Sequence, residues 1–237
     1  MFADAVAKLS ASIFPIFFRF ERDGAPVLSV SGTGFFVDGS GLFVTADHIM
    51  TCAPAGSTYY YYGNLPDQLS QPAVEIERVA SDPGRDLYLG RAAWRDYMRP
   101  VELSGERVRP GESVCLAGYP MAEVSVNPDR GVVANVRRYW QPTFVLDVMQ
   151  AVVDSRVYDG YLVGHPCFSG MSGGPVFDVE GKVRGMAAAT VTRSEPDLTG
   201  EPTIVKNGIV LDVEHIRAFI EGQQSTSLTV LASRAHR

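Results

Sequence analysis

Cysteine is scarce in this 237-residue chain, which carries only Cys52, Cys115 and Cys167. Three is an odd number and too few for a disulfide framework. Each is expected to be a small buried hydrophobe. A basic excess is also missing. The formal net charge of −6 leaves no electrostatic footprint for nucleic acid or anionic lipid. No apolar run is long enough to span a bilayer, since Ser12–Arg19 is short and interrupted by Pro15, so membrane insertion is not expected. The N-terminal segment has no basic stretch followed by a long apolar core. No secretory signal is read there, and a cytoplasmic location is expected. No long amphipathic helix separates the strand-like segments, which counts against βαβ alternation.

The rest of the composition, 46% hydrophobic and 20% charged, is ordinary for a globular protein. Twenty-three glycines and 15 prolines suit many short strands joined by turns. Strand-like segments recur at Ile13–Phe20, Val27–Val30, Gly34–Val37, Leu42–Val44, Val74–Val79, Leu87–Leu89 and Ser113–Gly118. They continue at Gly131–Val136, Phe144–Val148, Tyr161–Val163, Val176–Phe177, Val183–Ala189 and Gly208–Val213. Short helices are predicted over 2–11, from Phe2, Val6 and Leu9 at helical spacing, and over Glu214–Glu221. This pattern predicts an all-β chain of two six-stranded antiparallel β-barrels, at about 12–105 and about 110–213, lining one cleft. One domain then covers 1–222, with 223–237 as a tail outside the core. Thr58–Gly63 holds four consecutive tyrosines, read as a half-buried strand or a partner-binding edge. Ser194–Pro202 reads as a polar, mobile loop.

The chemistry concentrates in Gly170-Met171-Ser172-Gly173-Gly174-Pro175. Glycines let backbone N–H groups approach a bound atom unobstructed. A serine hydroxyl beside such donors is suited to acyl transfer, with an oxyanion hole already built. Upstream, Gly32 to His48 reads as strand, Asp38-Gly39-Ser40-Gly41 turn, strand, then a histidine at the strand end. Arg85-Asp86-Leu87-Tyr88-Leu89 places an acid at the start of another apolar run. The order is His48, Asp86, Ser172.

Taken together, these residues resemble a trypsin-like serine protease of the chymotrypsin fold, in its disulfide-free bacterial, HtrA-like form without a PDZ domain. Thr45-Ala46-Asp47-His48 resembles the family's Thr-Ala-Ala-His. Asp86-Leu87-Tyr88-Leu89 resembles Asp-Leu-Ala-Leu, and Ser169 to Pro175 resembles the nucleophile loop. Asn207 to Ile216 resembles the closing strand and helix start. The resemblance spans about residues 5–222. It implies a serine endopeptidase working through an acyl-enzyme, with Ser172 as nucleophile, His48 as base and Asp86 as orienting acid. Oxyanion donors are expected at Gly170 and Ser172, with Met171 N–H between them. No metal or organic cofactor is required.

Positional matching sets the pocket for the residue before the scissile bond at His165, Pro166, Cys167, Phe168 and Ser169, and at Ala187, Ala188, Ala189 and Thr190. Neither segment has an acid, which argues against arginine or lysine selection. The alanines leave room for an apolar side chain, and His165 keeps an acidic preference open. Two departures stand out. Asp47 replaces a small residue, facing either a second layer or solvent, or raising the histidine's pKa. Met171 stands where animal members carry an aspartate that pairs with a freed N-terminus, so that activation route is not expected. The expected partners are a protein or peptide substrate and, given no fused recognition domain, a protein activator or a narrow target. The competing reading is a latent, non-catalytic binding module on the same fold. A Gly-x-Ser-x-Gly nucleophile elbow is rejected, because Gly173-Gly174-Pro175 breaks the helix that elbow needs. Gly32-x-Gly34 is followed by Phe35-Phe36-Val37 and is no dinucleotide fingerprint.

Overall fold

The computed structural model describes residues 1–61, 74–93, 99–127, 131–196 and 201–223. Helix α1 (Ala3–Leu9) leads into β1 (Ile13–Arg22), β2 (Ala25–Phe36) and β3 (Leu42–Ala46), then the short helix α2 (Asp47–Thr51). β4 (Thr58–Tyr61), β5 (Val74–Glu75), β6 (Glu77–Asp82) and β7 (Leu87–Arg91) complete the first sheet. Its order is β5-β4-β1-β2-β3-β7-β6. Only Ile76 separates β5 from β6. One bent strand therefore pairs with β4 at one end of the sheet and with β7 at the other. The curl closes on itself with six strands, as the strand spacing predicts.

The second sheet takes β8 (Glu102–Leu103), β9 (Ser113–Gly118), β12 (Tyr139–Val153), β13 (Arg156–Val163), β14 (Pro175–Phe177), β15 (Lys182–Pro196) and β16 (Pro202–Asp212). β10 (Glu123–Asn127) and β11 (Gly131–Asn135) form a separate hairpin. The order is β14-β9-β12-β13-β16-β15-β8, and β14 also pairs with β15. That pairing closes six strands into a ring and leaves β8 as an addition. β8 pairs parallel with β15, through Lys182↔Glu102 and Val183↔Leu103. This departs from an all-antiparallel reading, and it gives Glu102–Leu103 to the second sheet rather than the first barrel. The chain has just crossed between barrels there, and β8 is far from β15 in sequence, so no hairpin turn imposes an antiparallel pairing. The molecule is the expected chymotrypsin-like double barrel.

Burial explains the first barrel. Phe17, Phe35, Phe36 and Phe43 are fully buried. Phe14 packs on Phe36 and Phe43 with ring centroids 4.6 and 5.2 Å away. Truncating one such ring to alanine typically costs about 3–5 kcal/mol. α1 buries Ala5 and Leu9, and Phe2 meets Phe177 of the second sheet edge to face at 5.9 Å. A C-terminal helix, 213–223, follows β16. Asp212 Oδ1 caps it by accepting from Glu214 N–H at 2.9 Å. Ile216 and Ile220, one turn apart, bury against the core.

Several local expectations shift. Val27–Val30 and Gly34–Phe36 belong to one continuous strand, β2, which ends one residue before Val37. The tyrosines at 59–61 pair with both β1 and β5, so this stretch is a paired strand and not an exposed edge; Tyr62 and Gly63 lie outside the described residues. The two ends of the Ser194–Pro202 segment are ladder, with Ser194↔Ile204 and Pro196↔Pro202 paired; 197–200 and 224–237 lie outside the described residues. Cys115 and Cys167 are buried as expected, but Cys52 is exposed, because it caps the end of α2.

The β12–β13 hairpin matters for the site. Val153 pairs with Arg156 across a two-residue turn, Asp154-Ser155. Both turn residues have positive φ, 49° and 67°. This is the type I′ geometry that follows the twist of the strands. A left-handed serine is strained, so Ser155→Gly is expected to stabilise the fold by about 1 kcal/mol. A higher urea midpoint at unchanged slope is the result that checks it.

Candidate active site

His48 lies in the first turn of α2, directly after β3, rather than on the strand itself. Asp86 closes the Pro83–Asp86 turn ahead of β7, with φ +57°. Arg85 N–H binds Asp82 Oδ1, and Asp47 N–H binds Asp86 O at 3.1 Å. These bonds lock the turn against α2. The two side chains meet: His48 Nδ1 and Asp86 Oδ2 are 2.7 Å apart. A carboxylate only accepts, so Nδ1 carries the proton. Nε2 is left as the acceptor. Oδ1 accepts from His48 N–H at 2.9 Å. Asp86 is fully buried, while the His48 side chain is 28% exposed.

Two residues not singled out from the sequence complete this carboxylate. Tyr158 OH donates to Oδ2 at 2.9 Å, and Arg156 Nε lies 3.5 Å from Oδ1. Burial, then the Asp86 charge, push the Tyr158 phenol well up, so it stays a donor.

Ser172 is delivered by the turn Phe168-Ser169-Gly170-Met171. Met171 N–H donates to Phe168 O at 2.9 Å, and Gly170 has φ +93°. A closing i→i+3 bond with glycine at positive φ defines a type II turn. The expectation that Met171 N–H stands with the oxyanion donors is thereby corrected, since this turn consumes it. Among the described residues, Gly170 N–H and Ser172 N–H have no protein acceptor. The loop is clamped to the His48 segment. Thr33 N–H donates to Ser172 O at 3.0 Å, Thr33 Oγ1 to Gly170 O at 2.7 Å, and Thr45 Oγ1 to Thr33 O at 2.7 Å. Gly173, at φ +82°, leaves no space for a Cβ against Thr45 Oγ1 and Thr33 O. Met171 is fully buried in the second barrel core and anchors the turn apolarly. The Ser172 hydroxyl donates to Ala188 O at 3.2 Å and not to His48.

The two pocket segments are joined, as Thr190 Oγ1 donates to Cys167 O at 2.7 Å. Their side chains divide. His165, Phe168 and Ser169 are exposed, and Pro166, Ala189 and Thr190 are half-buried. Cys167 and Ala187 belong to the second core, and Ala188 packs with Tyr158 and Ile209. For these three, the expectation that side chains line a pocket is corrected: Cys167 and Ala187 are buried in the second core, and Ala188, the next residue on β15, is covered on the opposite face by Tyr158 and Ile209. Burial pushes the Cys167 thiol up to about 12. A cavity of about 310 Å³ opens beside Gly170, walled by Val30, Tyr119, Met121 and Phe168.

Asp47 is buried at 5% exposure and faces a second layer rather than solvent. Desolvation, then the Asp86 charge, raise its carboxyl pKa. A carboxyl raised on folding adds most stability when protonated, and that contribution is lost as pH rises through its folded value. Asp47→Asn is therefore expected to raise Tm at neutral pH. The gain should vanish as pH falls below the ordinary value of 3.8, measured by paired melts across pH.

A family model described as a trypsin-like peptidase domain matches residues 32–186, a span holding His48, Asp86 and Ser172. An uncharacterized protein, y4bJ of Sinorhizobium fredii (strain NBRC 101917 / NGR234), is 31% identical over 161 residues, 68% of this chain and 22% of the relative. The chain thus matches about a fifth of that relative's length. Among solved structures, an inactive serine-to-alanine mutant form of Rv3671c from M. tuberculosis H37Rv superposes with a TM-score of 0.60. It covers 94% of this chain and 91% of its own at 18% identity, a likeness of fold. By that match over residues 32–186, on a double barrel that pairs His48 with Asp86, the chain belongs to the trypsin-like peptidase domain family.

Proposed function

We propose that this protein is a serine endopeptidase that cleaves protein or peptide substrates through an acyl-enzyme. One observation supports the reading: the 2.7 Å His48–Asp86 pair, on a fully buried carboxylate, leaves Nε2 as the acceptor available to a serine. For the reaction, Ser172 Oγ leaves Ala188 O and donates to Nε2. His48 takes the proton as Oγ attacks the carbonyl, and later returns it to the leaving amine. Gly170 N–H and Ser172 N–H bind the oxyanion, and losing such a donor typically costs on the order of 10²–10³ in turnover. The short Ala189 and the uncharged Pro166 to Ser169 wall favour an apolar side chain before the scissile bond. The protein acts on a narrow target or under a partner's control.

A second reading, a latent binding module, draws on the Ser172 hydroxyl being engaged with Ala188 O. Incubation of the native chain and Ser172→Ala with a peptide library, read by mass spectrometry, separates the two. New termini from the native chain alone support the peptidase. No cleavage by either supports the latent module, and brisk, unselective cleavage of unfolded casein contradicts narrow targeting.

A further inference from the structure

We infer that Tyr158 and Arg156 are positioning residues that hold Asp86, and through it His48, from the second barrel. The inference rests on the peptidase reading for its catalytic meaning. Asp86 is fully buried and belongs to the first barrel's β6–β7 turn. Its two first-barrel donors, His48 N–H and His48 Nδ1–H, take one position on each oxygen. A carboxylate offers about four lone-pair sites. Leaving the remainder empty would cost desolvation free energy. Both are supplied across the barrel interface: Arg156 Nε to Oδ1 and Tyr158 OH to Oδ2.

Placement follows from strand physics. Arg156 and Tyr158 stand two apart on β13, so they share one face of the strand. The Asp154-Ser155 turn sets where that strand begins. Between them, Val157 N–H donates to Gly84 O at 3.0 Å, pinning β13 to the turn that carries Asp86. Three consecutive residues thus grip one four-residue turn. A one-residue slip of β13 would turn both side chains away. The Asp47 carboxylate also faces this group and repels it. Arg156 therefore offsets a like charge as well as making a contact, and Tyr158, buried at 2% exposure, has a hydroxyl whose recorded partner is Asp86. The triad acid gains its full set of donors only when the two barrels are docked.

Two readouts on the full chain test this. The first is the low-field proton NMR signal of His48 Nδ1–H, which needs no activity. The second is phosphonylation by a fluorophosphonate probe, split into limiting rate and half-saturating concentration. Tyr158→Phe is expected to shift or broaden the His48 signal. It should lower the limiting rate on the order of tenfold, with half-saturation unchanged, as loss of orientation predicts. Arg156→Gln should act likewise, and Arg156→Lys should restore part of the rate. An unmoved signal and an unmoved rate in both Tyr158→Phe and Arg156→Gln would overturn the inference, as would absence of the signal in the native chain. If the signal moves in the variants but the native chain takes no label, the positioning role stands and the peptidase reading falls.

Discussion

Asp86→Asn is expected to lower the acylation rate by a factor on the order of 10⁴ while leaving substrate affinity nearly unchanged. The argument lies in the donors around the carboxylate. Oδ1 faces His48 N–H at 2.9 Å and Arg156 Nε at 3.5 Å, both obligate donors. An asparagine NH₂ cannot occupy that position without opposing them. It must take the Oδ2 position, where Tyr158 OH can turn to accept. The amide then donates toward His48 Nδ1, which must give up its proton and accept. The proton moves to Nε2, the nitrogen that would deprotonate Ser172. The base is present but in the wrong tautomer. A limiting rate within tenfold of the native chain would show that His48 does not depend on this pair.

Met171→Asp is expected to cost more than about 4 kcal/mol and to leave little folded protein at 37 °C. Met171 is fully buried against Val114, Leu116, Val145, Tyr161 and Val176. Truncation of such a side chain alone costs about 2–5 kcal/mol. A carboxylate there adds a desolvation penalty with no cation among those neighbours. Domains of this kind have about 5–15 kcal/mol in total. Met171→Leu, which keeps volume and apolarity, should cost less than about 1.5 kcal/mol. Urea unfolding distinguishes these outcomes. A Met171→Asp chain within about 1 kcal/mol of native stability would mean that the loop is not anchored by apolar burial.

The parts legible in sequence were those with local punctuation. Asp38-Gly39-Ser40-Gly41 marks the β2–β3 turn, where Asp38 Oδ1 accepts from Ser40 and Leu42 N–H. Gly170 and Gly173 mark the serine loop by the positive φ that each requires. His48 and Asp86 are legible because each begins or ends an apolar run. Tyr158 and Arg156 are not, because their role depends on β13 register and on docking between sheets, which no local pattern encodes. The consumption of Met171 N–H by Phe168 O also follows from turn type rather than composition. Parallel β8 is two residues long and carries no period to read. β15 and β16 run further than their buried parts because the polar residues 192–195 still pair with the solvent-exposed residues 203–206.

The measurement that tests the central claim most directly is intact mass after treatment with a fluorophosphonate, on the native chain, Ser172→Ala and His48→Ala. The account predicts one adduct on the native chain, mapped to Ser172, and none on either variant at matched time. An unlabelled native chain, or an adduct that persists in Ser172→Ala, would contradict it.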